Sequence, residues 1–274
     1  NVTLTASDLA PSVIPDWIVS ADDMDDINAS LADSPIDLDA NILALNISVA
    51  GSGAVAVNGA FTGNVIANTV TTSIENSTVE ATNGSLTLDS DSKAGIISVT
   101  VGVGASGTVA VNATGFGNVI TNSVTASITG GAVVTSGTDM ALSVDDDATI
   151  RSVGLSVAGS GAVSVGVIAG ANVITNDVTT RVEDSTVDSG GGLSLSAIQQ
   201  ASIYSFAGGV AASGAVAVQV SLAANVITNT TEAAIDNSTV DTVGNVTLLA
   251  EDSSSIDSFA FGVSGTGAVA VGVA

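Results

Sequence analysis

Three groups of closely spaced carboxylates raise the question of chemistry first: Asp89/Asp91, Asp145/Asp146/Asp147 and Glu251/Asp252. Oxygen ligands at such spacing suit calcium, and paired carboxyls suit acid–base work. All three follow a short "LTL"-like apolar word, in "SLTLDSDS", "MALSVDDD" and "NVTLLAEDS". The fourth such place carries Ile198-Gln199-Gln200 instead. A glycosidase needs a single pair in a cleft, so a feature repeated along the chain reads as solvated turns, with bound calcium as the sharper alternative. The GGxGxD calcium-roll motif is absent. A further acidic group, Asp22, Asp23, Asp25 and Asp26, is a second calcium candidate.

Other catalytic chemistry lacks its residues. The chain has no His and no Cys, which removes Ser–His and Cys–His nucleophiles and thiolate metal sites. A Ser–Lys pair is left to Lys93, in "DSDSKAG", which reads as a solvated turn residue. No GxGxxG word follows a strand and opens a helix. The expectation is a protein that is not an enzyme and needs no cofactor beyond a possible calcium ion.

The balance of charge narrows the partners. Of 274 residues, 27 are acidic and 3 basic (Lys93, Arg151, Arg181), a formal charge of −24. Nucleic acid and anionic membranes would both require the opposite sign. The run from Ala94 to Thr138 carries no charge, yet Gly, Ser, Thr and Asn interrupt it too often for a spanning helix. One Trp and one Tyr cannot form the aromatic girdles of a membrane barrel, so no membrane insertion is expected. The first residue is Asn, without a basic and then apolar leader, which reads as a processed or excised chain.

The elements that must position these residues come from a repeat. The Asn opening each "NVI" word falls at Asn64, Asn118, Asn172 and Asn225, in steps of 54, 54 and 53. The Gly before each "AV" or "TV" word falls at Gly53, Gly107, Gly161, Gly214 and Gly267, in steps of 54, 54, 53 and 53. Two independent rulers agree, and self-similarity at a fixed period is the signature of a repeat architecture. The units run over about 1–52, 53–106, 107–160, 161–213 and 214–266, with a partial unit at 267–274.

Within a unit, apolar and polar residues alternate between Gly, Asn, Asp and Ser, as in short strands. In "SVGLSVA", Val153, Leu155 and Val157 share one face, which suits a core; Gly154, Ser156 and Ala158 share the other. The fold expected is all-β: an elongated, parallel β-solenoid with two coils per unit, advancing about 10 Å per unit. The alternative is stacked antiparallel hairpins forming a two-sheet fibre, with "GSG" at 159–161 as a hairpin turn. Stacking would place like residues above one another. Asn64, Asn68, Asn118, Asn122, Asn172, Asn176, Asn225 and Asn229 are then candidates for amide ladders at a corner. A repeated polar binding surface is the alternative use of those residues. Thr69, Thr71 and Thr179 raise ice binding, but Ser123 and Asp177 break the rows.

One stretch departs from the repeat. Val2 to Leu86 spans 84 residues, about 30 more than a normal step. The excess is residues 9–37, which hold Pro11, Pro15, Pro35 and Trp17. Ser20 suits a helix cap, and Met24, Ile27 and Leu31 share one helical face. A loop with a short helix is expected, covering an edge or docking a partner through Trp17.

Across roughly 38–274 and 1–8, and best at "GAVAVQVSLAANVITNTTEAAIDNSTVDTVGNVTLLA" (214–250), the chain resembles the very large β-strand-repeat surface proteins of bacteria, akin to filamentous adhesins and haemagglutinin-like exoproteins. The resemblance implies an extracellular or cell-surface, elongated structure used in adhesion, cell contact or biofilm matrix. The expected role is a structural repeat segment of a fibre or giant surface protein, associating head to tail with other copies. An adhesin passenger binding a glycan or host surface is the alternative; an ice-binding or calcium-dependent surface repeat is a remote one.

Overall fold

A computed structural model describes residues 1–9 and 40–274. The expected helix, Trp17 and the acidic group at Asp22–Asp26 lie outside the described residues.

The chain winds as a parallel β-solenoid in which each unit is one rung. The first rung holds β1 (Val2–Asp8), β2 (Ile42–Ser52), β3 (Val55–Glu75) and β4 (Thr78–Ala81). The second holds β5 (Leu86–Ser106), β6 (Val109–Thr129) and β7 (Val133–Ser136). The third holds β8 (Met140–Ser160), β9 (Val163–Ile174), β10 (Asp177–Glu183) and β11 (Thr186–Ser189). The fourth holds β12 (Leu193–Ser213), β13 (Val216–Ile227), β14 (Thr230–Asp236) and β15 (Thr239–Thr242). The fifth holds β16 (Val246–Thr266) and β17 (Val269–Val273).

Rungs stack into three sheets. The first follows β1-β5-β8-β12-β16, with β2 also on β5; the second follows β14-β10-β6-β9-β13-β17, with β3 on β6; the third is β15-β11-β7-β4. Pairing is parallel throughout, and Leu86 pairs with Met140, Met140 with Leu193, and Leu193 with Val246. The repeat length is therefore the circumference of one coil. The expected two coils per unit are corrected to one, so a unit advances about 4.8 Å rather than 10. The sequence breaks strands where Gly and Ser recur, but a 21-residue strand such as β8 runs through them, roughly 70 Å long. The hairpin alternative falls with the same observation: residues 159–161 carry the chain from the first sheet to the second, and no hairpin forms there.

One turn shows why the sequence closes each coil. Between the second and third sheets, Asn76, Gly130, Asp184 and Asn237 occupy the same place with φ of 49°, 70°, 49° and 46°. That left-handed conformation is open chiefly to Gly, Asn and Asp, which are the residue types the repeat keeps there. The following Ser folds back: Ser77, Ser185 and Ser238 Oγ donate to the carbonyls of Glu75, Glu183 and Asp236.

The insertion leaves a long strand midway. Asp8 pairs with Ser92, and Asn41 N donates to the Gly95 carbonyl at 2.9 Å. β1 and β2 together thus match one 21-residue strand, interrupted where β5 carries Lys93 and Ala94.

The two ends of the cross-section differ. Where three sheets meet, Leu86, Leu88, Met140, Leu142, Leu193 and Leu195 pack against Val124, Ile128, Val134 and Val182. Further along, Ile96, Ile150 and Ile203 meet Ile66, Ile120 and Ile174. Near the Gly turns, where two sheets face each other, the inner residues are Ser98, Thr100, Ser152, Gly154, Ser156 and Ala158. There Val153, Leu155 and Val157 point outward, which corrects the expectation that they fill the core. Small inner residues let the sheets approach: a Cβ on Gly209 or Gly166 would collide with the Gln219 side chain.

Candidate functional site

The carboxylates do not sit on turns. Asp89, Asp91, Asp145, Asp146 and Asp147 lie within β5 and β8, and Glu251 and Asp252 within β16. Lys93 likewise is a strand residue, in register with Asp147. The turn expectation is corrected for a simple reason: the rows above and below supply backbone partners, so polar side chains need not end the strand.

Alternation then separates neighbours. Asp89, Asp91, Asp145 and Asp147 face outward, whereas Asp146 faces inward and is fully buried. Its row contains Asp8, Ser92, Gln199 and Asp252, and it faces Asn68, Asn122, Asn176 and Asn229. Three amides converge on the Asp146 carboxyl. Asn122 Nδ2 donates to Oδ1 at 2.9 Å; Asn176 Nδ2 and Gln199 Nε2 donate to Oδ2 at 2.7 and 2.9 Å. Burial raises its pKa above the ordinary carboxylate value, while the hydrogen bonds from Asn122, Ser92, Gln199 and Asn176 oppose the rise. Asn122 Oδ1 and Gln199 Oε1 are buried without a partner.

Two further polar rows cross the core. Asn64 Nδ2 donates to Asn118 Oδ1 at 2.7 Å, Asn118 to Asn172 at 2.8 Å, and Asn172 to Asn225 at 2.7 Å. Nearer the Gly turns, Asn58 Nδ2 donates to Asn112 Oδ1, and Asn112 Nδ2 to Ser156 Oγ, both at 2.8 Å. These amides line the inside of long strands, not a corner. The eight Asn residues expected to ladder divide by behaviour. Asn64, Asn118, Asn172 and Asn225 link side chain to side chain. Asn122 and Asn176 instead receive the next rung's amide oxygen on their backbone N–H, at 3.0 and 3.2 Å, while Asn229 Nδ2 donates to Ser254 Oγ. Asn68 is half-buried at the first rung.

Each bond forms only when equivalent residues lie directly above one another. A slip of one residue would turn every amide outward and every outer side chain inward. The rows therefore fix the register of the coils.

The outer face carries repulsion and an apolar groove. Asp91 and Asp145 are paired in register; burial first, then the charges of Asp89 and Asp145, raise the Asp91 pKa, and burial followed by Asp89 raises Asp145. Among the described residues, no group of three or more His, Cys, Asp or Glu side chains is placed to hold a metal ion. The groove, about 470 Å³, is lined by Arg151, Val153, Tyr204, Phe206, Asp257 and Phe259. The Arg151 guanidinium lies 5.5 Å from the centre of the Tyr204 ring. Thr69 and Thr71 are outward on the second sheet, while Thr179 is buried at the same level.

Sequence reasoning missed three things: the separate fate of Asp146, the Asn58–Asn112 row and the outward apolar face. The first had a signal. Asp146 shares the phase of Met140, Leu142 and Val144, so it belongs to the inner face by alternation alone.

Comparison with protein-family models, with curated proteins and with solved structures finds no match to the chain. The fold alone defines its class, a parallel β-solenoid built of one-rung units.

Proposed function

We propose that the chain is a structural repeat segment of an extracellular fibre or giant bacterial surface protein, extending by coil-on-coil stacking. The observation that supports this is the unbroken register: the amide chain from Asn64 through Asn118 and Asn172 to Asn225 is one contact used three times. The same contact serves whether the next rung belongs to this chain or to another copy. Its acidic composition keeps a β-rich surface soluble, and its lack of His and Cys favours a scaffold over an enzyme. Fibre diffraction and electron microscopy of the purified chain test it. Filaments with a meridional spacing of about 4.8 Å are expected; particles that never lengthen at any concentration overturn it.

A glycan-binding role is the second reading, favoured by the groove. Tyr204 offers an aromatic plane, with Arg151 and Asp257 beside it for hydroxyl groups. Binding on a glycan array that Tyr204→Ala abolishes would support it; an empty array would remove it.

A further inference from the structure

The half of the blade near the Gly turns is patterned inside out. On the first sheet its inner side chains are small or polar, and its outer ones are mostly aliphatic or aromatic, as in the row from Leu45 in the first rung through Val99, Val153 and Phe206 to Phe259 in the fifth. Leu45 is 66% exposed and Phe259 58% exposed. Soluble proteins seldom leave a continuous apolar face of this size in water.

We infer that this face is the seat of a second copy of the chain, sheet against sheet, so that solenoids pair side by side as well as end to end. Charge favours a copy. Beyond the row of Arg151 and Asp257, no strand of either long sheet carries a charged residue before the three-sheet end begins. Two chains of −24 can thus meet here with their carboxylates outside the contact, Asp257 at its border lying in the same row as Arg151. Area agrees. Nine strand residues over five rungs present a face of roughly 700 Å², so a pair buries about 1,400 Å², within the range of stable interfaces. The outer face of the second sheet is a poorer seat, because among the described residues it presents one ring, Phe61, against the clustered Phe206, Phe259 and Phe261 of the first.

The face-to-face geometry is two-fold, with the sheets about 10 Å apart. It is distinguishable from end-to-end stacking, because stacked copies place equivalent residues five rungs apart, about 24 Å. The chain has no Cys, so Leu155→Cys, near the centre of the face, introduces a single thiol. Treated with a short bis-maleimide, it should give a covalent dimer on a denaturing gel. Ser143→Cys, outward on the same strand but at the acidic end, should not. Val101→Lys in the Leu155→Cys background should cut the dimer yield at least tenfold, with the circular dichroism of the folded chain unchanged. No dimer from Leu155→Cys, equal dimer from Ser143→Cys, or an unchanged yield with Val101→Lys overturns the proposal. So does flotation of monomeric chain with phosphatidylcholine vesicles, which would assign the face to lipid.

Discussion

The three-sheet end and the two-sheet end obey opposite rules within the same strand. In β8, Met140, Leu142 and Val144 are buried while Ser143 and Asp145 face water; ten residues later Ser152, Gly154 and Ser156 are buried while Val153 and Leu155 face out. The phase of the pleat never changes; only the chemistry assigned to each phase does. Where a third sheet widens the interior, large side chains fill it. Where two sheets meet alone, small residues bring them close, and buried amides bond to one another along the row and donate to serine hydroxyls across it.

The largest expected effect breaks the contrast directly. Leu142→Ala, in the fully buried cluster, should cost about 3 kcal/mol, against less than about 0.5 for Leu155→Ala on the outer face. Urea denaturation of dilute chain measures both. Equal losses would mean that the two ends are packed alike.

Asp146→Ala comes next. It leaves the amides of Asn122, Asn176 and Gln199 without their acceptor, at a cost of about 2 kcal/mol. The same carboxyl sets a pH trend. In the unfolded chain it ionises near 3.8; in the folded chain burial holds the proton to higher pH. Its contribution is therefore fully present below pH 3.8 and lost as pH rises through the folded value, and Asp91 and Asp145 act in the same direction. Thermal midpoints should rise from pH 7 towards pH 4, and Asp146→Asn should flatten that rise.

Glycines sharpen the claim of close approach at the two-sheet end. Gly209→Ala should cost about 1–3 kcal/mol, because a Cβ there meets Gln219. Gly159→Ala should be neutral, since nothing lies within 4 Å and the rungs on either side carry Ala105 and Ala212 in register. The smallest effect belongs to the acidic face. Asp145→Asn relieves repulsion with Asp89 and Asp91 in solvent-screened surroundings and should stabilise by at most about 0.5 kcal/mol, an effect that salt abolishes.

Much of this architecture was legible without coordinates. The 53- and 54-residue steps between Asn64, Asn118, Asn172 and Asn225 are the steps of the strand register itself, and the ~30-residue excess before Leu86 is the insertion between Asp8 and Asn41. Residue type suits the turns, since Asn76, Gly130, Asp184 and Asn237 tolerate a left-handed backbone. The number of coils per unit was not legible. Gly and Ser punctuate a sequence in the same way whether they end a strand or let two sheets approach inside one.

Period and phase are local properties, and the order of residues determined them: a 53–54-residue repeat of alternating strands, with Asp146 in the phase of Leu142. Which phase faces inward is a property of what stands opposite. Only the tertiary structure decided that, by closing three sheets at one end of the coil and two at the other, so that one alternation buries leucine in the first place and asparagine in the second.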